Sequence, residues 1–271
     1  MVSSVHMNIV ETDHLTRWFG DTVAVDALTL TVSSKEVFGL LGPNGAGKST
    51  VIKMLTTLLP PTSGSALIGG FDIVRQAGQV RRMIGYVPQL LSADGTLTGV
   101  ENLNVFASLY DIPRSERRAR VSGALEFMGL SDAADKLVRN YSGGMVRRLE
   151  IALAMLHRPA LLFLDEPTLG LDPLAREAVW DHIQELRAEY GTTIVVTTHY
   201  MDEADSLCDR VAIMHRGRVA ALGSPQELKA SIGGGAKTLE EVFIHYAGDV
   251  LESGGDSHDT WQTRRTAGRV G

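Results

Sequence analysis

The stretch Gly42-Pro43-Asn44-Gly45-Ala46-Gly47-Lys48-Ser49-Thr50 follows the apolar run Val37-Phe38-Gly39-Leu40-Leu41 and opens a second run that ends at Pro60-Pro61. A strand, a glycine loop and a helix in that order make a phosphate-cradling P-loop. Backbone N–H groups at the helix N-terminus face the anion, Lys48 adds a point charge, and Ser49 offers an oxygen ligand for magnesium. Glycines are needed because the loop turns tightly and its backbone must approach the phosphates without a Cβ in the way. The competing reading is a Gly-rich surface loop, which lacks the strand before it and the helix after it.

With 271 residues, 44% of them hydrophobic, the chain can form one large or two small domains with a sizeable core. A formal net charge of -6 argues against a protein built mainly to neutralise nucleic-acid phosphates, and no nucleic-acid partner is expected. The single cysteine, Cys208, rules out an internal disulfide, fits a reducing compartment and reads as a small buried apolar residue. No run approaches the roughly 18 apolar residues of a membrane span, and residues 1–10 lack a secretion signal's basic start and apolar core. A soluble chain is expected.

Residues 1–8 read as a loose terminus. From Ile9 to Val32 the chain reads as extended segments broken at Gly20-Asp21, with Leu28, Leu30 and Val32 alternating with Thr29 and Thr31. This predicts a small antiparallel sheet with Trp18 and Phe19 at its turn, where either ring has the shape to stack on a nucleotide base or simply to pack. Pro60-Pro61-Thr62-Ser63-Gly64 is a breaker, Ser65 to Asp72 a strand and turn, and Ile84 to Gln89 a short strand ending in a polar residue. Leu103, Phe106, Leu109 and Tyr110 lie at helix spacing within a mostly helical stretch from 98 to 140. Tyr141-Ser142-Gly143-Gly144-Met145 leads into a helix with Ser142 as a plausible N-cap.

Leu161-Leu162-Phe163-Leu164 is a continuous apolar run, as expected of a parallel strand buried on both faces, and Asp165-Glu166 stands at its carboxyl end. Ligands of open α/β sheets bind beyond those ends. Two adjacent carboxylates there can divide labour, Asp165 holding magnesium through water and Glu166 orienting or deprotonating an attacking water. Asp172-Pro173 starts a helix that Gly191 stops. Thr192 to Thr198 is a β-branched run that brings His199 to another strand's carboxyl end, and two more short strands are expected near Arg210 to Met214 and Arg218 to Leu222.

Taken in order, the P-loop at 42–50, Gln89, Ser142-Gly143-Gly144, Asp165-Glu166, Gly170-Leu171-Asp172 and His199 resemble the nucleotide-binding subunit of ABC transporters over about residues 9–246. The resemblance implies a P-loop NTPase core of α/β class with a mostly parallel sheet, an N-terminal antiparallel β subdomain and a helical subdomain at about residues 90–158. Residues 247–271, rich in Gly, Ser, Asp and Arg, are expected to form a disordered tail. The resemblance further implies ATP and Mg2+ as ligands. Gly42 to Thr50 would cradle the phosphates, Ser49, Gln89 and Asp165 would serve the metal, Glu166 would be the catalytic base, and His199 would contact the γ-phosphate. Phe19 matches the aromatic that stacks on adenine, with Trp18 as its competitor, while Ser142, Gly143 and Gly144 would complete the site of an opposing subunit.

The implied function is an ATP-hydrolysing subunit that powers a separate integral-membrane permease. It would work as a pair of copies closing on two ATP molecules, in the cytoplasm on the inner face of the cell membrane. Met145 and Tyr141 stand where glutamine and leucine are usual, and Leu169-Gly170-Leu171 replaces a frequent Ser-Ala-Leu. With Leu239-Glu240-Glu241-Val242-Phe243, these variants resemble the multidrug and antibiotic exporter branch, whose relatives also move lipids or polysaccharides. A rival is an ABC-type ATPase of DNA repair, chromosome organisation or translation. Against it stand a single motif set and only about fifty residues between Gln89 and Ser142, too few for a long coiled coil or zinc module.

Overall fold

Leu28, Leu30 and Val32 are buried while Thr29 and Thr31 face outward, the period of two of a strand with one covered face. They lie on β2 (Thr22–Ser33), which pairs antiparallel with β1 (Asn8–Phe19). The computed structural model describes residues 7–232 and 238–253, the last segment from 247 onward as backbone alone. On its other edge β1 pairs antiparallel with β4 (Ser63–Ile68), which pairs with β5 (Phe71–Asp72). The small sheet therefore runs β2-β1-β4-β5 and draws half its strands from beyond the P-loop.

The second sheet contains β3 (Val37–Leu41), β6 (Ile84–Val87), β7 (Leu161–Asp165), β8 (Thr193–Thr198), β9 (Arg210–His215) and β10 (Arg218–Gly223), in the order β10-β9-β3-β8-β7-β6. All its pairings are parallel except β9 with β10. Every residue of β3, β7 and β8 is buried, as strands covered on both faces must be. Alternate side chains feed two cores. Val37, Leu41, Leu162, Leu164, Ile194 and Val196 join the core formed with α5 (Gly143–Met155) and α6 (Pro173–Tyr190). Phe38, Leu40, Phe163 and Val195 join the core formed with α1 (Lys48–Leu55) and the small sheet. Each such burial contributes about 1.5–3 kcal/mol, so the P-loop strand is fixed from both sides.

Between β6 and β7 the chain forms α3 (Gly99–Leu109), α4 (Arg114–Phe127), two single turns of 3-10 helix and α5, within the span where helices were expected. A capping box between Thr98 and Glu101 sets the start of α3. Asp172 caps α6 by accepting Ala175 N–H, and Gly191 ends it with φ 63°.

Several elements depart from expectation. The P-loop helix stops at Leu55, with Thr56 as its C-cap and Thr57 at φ 62°, well before Pro60. Three short helices went unforeseen: α2 (Ala77–Met83), α7 (Met201–Leu207) and α8 (Pro225–Ala230). The last described helix, α9 (Leu239–Ser253), continues past Tyr246, so the tail boundary drawn at 247 falls inside a helix. Ala247, Val250 and Leu251 continue the helix spacing of Phe243, a period that a reading by composition overlooks. The rest of the expected tail, 254–271, lies outside the described residues, as do residues 1–6 of the expected loose terminus. No helix among the described residues is long and apolar enough to cross a membrane.

Candidate nucleotide site

The loop after β3 turns at backbone angles that side chains rarely adopt: Gly42 has φ 151°, Gly45 84° and Gly47 103°. A Cβ on Gly47 would lie 2.4 Å from the Ala24 carbonyl oxygen, so the loop is held against β2 as well as being bent. Pro43, Asn44 and Gly45 are exposed and Ala46 is buried. Lys48 opens α1 and is buried, its Nζ donating to the Gly42 carbonyl at 2.8 Å and the Pro43 carbonyl at 3.2 Å. The ammonium thus sits inside the curve of the loop, next to Ser49 and Thr50 in the first turn of α1.

Parallel pairing of β3, β8 and β7 brings four further residues, Asp165, Glu166, Thr197 and His199, to the same carboxyl end of the sheet. The Ser49 hydroxyl donates to Asp165 Oδ1 at 3.1 Å, and the Thr197 hydroxyl donates to the same oxygen at 2.6 Å. Glu166 follows at φ 48°, a left-handed conformation for a non-glycine residue. Its N–H bonds to the Thr197 carbonyl at 3.2 Å and hydroxyl at 2.9 Å, and its carboxylate lies 3.5 Å from Lys48 Nζ and 3.2 Å from His199 Nδ1. The His199 contact is ionic in distance but lacks hydrogen-bond alignment. Burial, with the Asp165 charge added, pushes the neighbouring Tyr86 phenol up to about 12, so it stays neutral.

Lys48, Ser49, Asp165, Glu166 and His199 are therefore brought together. Gln89 stands exposed just beyond the carboxyl end of β6. Trp18 and Phe19 are 46% and 47% exposed at the hairpin, with the Arg17 guanidinium 4.7 Å from the Phe19 ring centroid. Ser142 caps α5 by accepting Met145 N–H at 3.3 Å. Ser142 and Gly143 are exposed, while Gly144 is buried against α6, where a Cβ would come within 2.9 Å of Ala175 Cβ. A cavity of about 500 Å³ flanks the P-loop, lined by Gly42, Pro43, His199, Tyr200 and Phe243 among others.

The donor set fits magnesium delivered with a nucleotide. Mg2+ takes one or two protein oxygens and fills its octahedron with phosphate oxygens and water, and Ser49 Oγ and Asp165 Oδ1 are such a pair. Among the described residues no cluster of three or more His, Cys, Asp or Glu makes a self-sufficient metal cage.

Several residues of the site gave no sequence signal. Thr197 looks like one more β-branched strand residue. Arg147 and Glu150, buried on α5, look in sequence like the polar positions of an amphipathic helix. Glu203 on α7 is buried too, and its carboxylate accepts the Thr168 hydroxyl at 3.1 and 3.0 Å.

The ABC transporter family model matches residues 25–169. The daunorubicin/doxorubicin resistance ATP-binding protein of Streptomyces peucetius is 48% identical over 224 residues, covering 83% of this chain and 68% of that protein. The linearmycin resistance ATP-binding protein of Bacillus subtilis is 37% identical over 226 residues, covering 83% of this chain and 72% of its own length. A solved structure described as an ATP-binding subunit of an ABC transporter superposes with a TM-score of 0.79 at 31% identity, over 88% of this chain and 99% of that one.

Proposed function

The chain belongs to the ABC transporter family as an ATP-binding, ATP-hydrolysing subunit, and from that premise we propose that two copies close around two Mg-ATP to drive export of hydrophobic drugs or antibiotics. The convergence of Lys48, Ser49, Asp165, Glu166 and His199 on the P-loop carries this reading. A membrane permease and dimerisation follow from membership of the family; the identity of the second subunit, the cargo and a location on the inner face of the cell membrane are the proposal. The drug-resistance names of the two relatives support the cargo class.

In this reading the N–H groups of the P-loop and Lys48 bind the β- and γ-phosphates. Ser49 and Asp165 would hold Mg2+, which supplies charge neutralisation at the phosphates when bound. Glu166 orients and deprotonates the attacking water, and His199 beside it contacts the γ-phosphate. Gln89 reports on the metal site to the permease, and Phe19 or Trp18 covers the adenine. Ser142 and Gly143, exposed at the start of α5, and the buried Gly144 that seats them against α6 would complete the nucleotide site of the opposing copy. Nucleotide binding then favours closure because the closed pair contacts ATP from both sides, and hydrolysis releases it. The nucleotide-binding unit spans about 9–246, with the helical subdomain near 90–158.

Size-exclusion chromatography of Glu166→Gln with and without Mg-ATP tests the reading. A shift from monomer to dimer is expected, because binding is kept and turnover is lost. A variant that stays monomeric with bound ATP verified overturns self-pairing, and an unchanged turnover overturns Glu166 as the base. Cells producing the chain with its permease should export an anthracycline, and lose that export with Lys48→Ala.

A further inference from the structure

Arg147 and Glu150 form an ion pair at 3.1 Å inside the protein, with side chains 5% and 0% exposed. A buried ion pair is seldom more stabilising than the apolar side chains that would fill the same space, so its contacts need another explanation. Nη1 of Arg147 also donates to the Pro88 carbonyl at 2.9 Å, and Nη2 to the carbonyls of Gln89 and Glu166, both at 3.4 Å. Glu150 in turn accepts Ser92 N–H at 2.5 Å and the Ser92 hydroxyl at 3.2 Å. One guanidinium and one carboxylate on α5 thereby join the segment after β6 to the residue after β7.

Glu166 sits at a strained φ of 48°, and such a residue persists only where its surroundings over-determine it. Its N–H is held by Thr197 and its carbonyl by Arg147. The other end of the connection is at the surface: Leu90 and Leu91 are 82% and 64% exposed. A displacement of that exposed segment has a short, buried path to the Glu166 peptide, and the planar fork of arginine suits it to several carbonyls at once. Burial draws the Arg147 guanidinium below its ordinary value, with the Glu150 and Asp165 carboxylates opposing the shift.

We propose that Arg147, anchored by Glu150, is a positioning residue for hydrolysis: it sets the Glu166 backbone according to where the Pro88-to-Ser92 segment lies. The proposal rests on the ATPase reading above. It adds a route from the surface segment to the catalytic carboxylate within one subunit.

The test compares wild type, Lys48→Ala, Arg147→Lys and the double variant Arg147→Met/Glu150→Met in the full-length chain. Turnover is measured per nucleotide-binding molecule, together with KM for ATP and thermal midpoint. The double variant removes both charges, so no lone buried charge unfolds it, and Arg147→Lys keeps the charge without the fork. In both, kcat is expected to fall about tenfold or more while KM changes by no more than about threefold, the signature of a contribution made in the transition state. Near-wild-type kcat in the double variant overturns the proposal. So does activity lost only in step with nucleotide binding or thermal midpoint in both variants, which a merely structural pair would give. Wild type that shows no Lys48-dependent hydrolysis overturns the ATPase reading instead.

Discussion

The Thr197 hydroxyl donates to Asp165 Oδ1 at 2.6 Å while accepting the Glu166 N–H at 2.9 Å, so one buried group on β8 aligns the last residue of β7 and the acidic residue that follows it. Ser49, in the first turn of α1, reaches the same Asp165 oxygen from the P-loop side. The Asp165 carboxylate is thus oriented from the neighbouring strand and from the P-loop helix, and the Glu166 backbone is held by the same threonine. Thr197→Val is nearly isosteric and removes only the hydroxyl. A hydrogen bond to a charged group contributes about 1.5–3 kcal/mol, so kcat for ATP should fall by roughly 10–100-fold if that orientation matters in the transition state. ATP affinity should barely move. Steady-state turnover and equilibrium ATP binding check this, and unchanged kcat would assign the orientation of Asp165 to Ser49 alone.

Gly47→Ala should cost nucleotide binding more than it costs the fold. The φ of 103° and the 2.4 Å approach to the Ala24 carbonyl leave no place for a methyl group, so the loop must move away from β2. The buried strands on either side do not depend on that contact. ATP affinity is expected to fall at least about tenfold, with the thermal midpoint lowered by a few degrees, since about 1 kcal/mol shifts it by roughly 2–4 °C in a domain of this size. Wild-type affinity would mean that the loop tolerates a different path.

Cys208 should be unreactive in the folded protein. It is buried, and burial pushes its thiol up to about 12, with the Asp209 and Glu203 charges adding to the shift. At pH 8 only about one molecule in ten thousand then carries the thiolate that attacks thiol reagents. Labelling by a disulfide reagent at pH 8 is expected to be slow in native buffer and rapid in denaturant. Fast native labelling would place the thiol at the surface.

How much of this was legible in the sequence follows from where each residue's contacts lie. Leu28, Leu30 and Val32 announce a strand because their period is local, and Asp172-Pro173 with Gly191 bracket α6 because caps are local chemistry. The Gly42 to Thr50 loop carries its function in contiguous residues, and Asp165-Glu166 is marked by the apolar strand before it. Thr197, Arg147 and Glu203 are different: each works through partners distant in the chain, and each has an ordinary local role that explains it equally well. The short helices α2 and α7 span two turns, too few for an apolar period to stand out. Ala247 to Ser253 shows the converse failure, where a polar composition outweighed a spacing that was present.

Glu203 supplies a pH test with a defined sign. It is 6% exposed, accepts the Thr168 hydroxyl, and has Arg176 Nε at 3.2 Å. Burial raises its carboxyl above the ordinary 4.5, opposed by Thr168, Trp180 and Arg176 and reinforced by the Asp202 charge. A folded-state value above the unfolded one means that the folded protein binds the proton more tightly, so stability falls as pH rises through the window that begins at 4.5. The destabilisation is absent below that window and fully present above the raised value. Glu203→Gln keeps hydrogen-bonding atoms and removes the charge, and Arg176, 27% exposed, remains solvated when its partner becomes neutral. The thermal midpoint of Glu203→Gln relative to wild type should therefore become more favourable as pH is raised from 4.5 to 7.5. Taking the difference between the two proteins cancels the other titrating groups. A difference that stays flat with pH would mean that Thr168, Trp180 and Arg176 fully compensate the burial of the carboxylate.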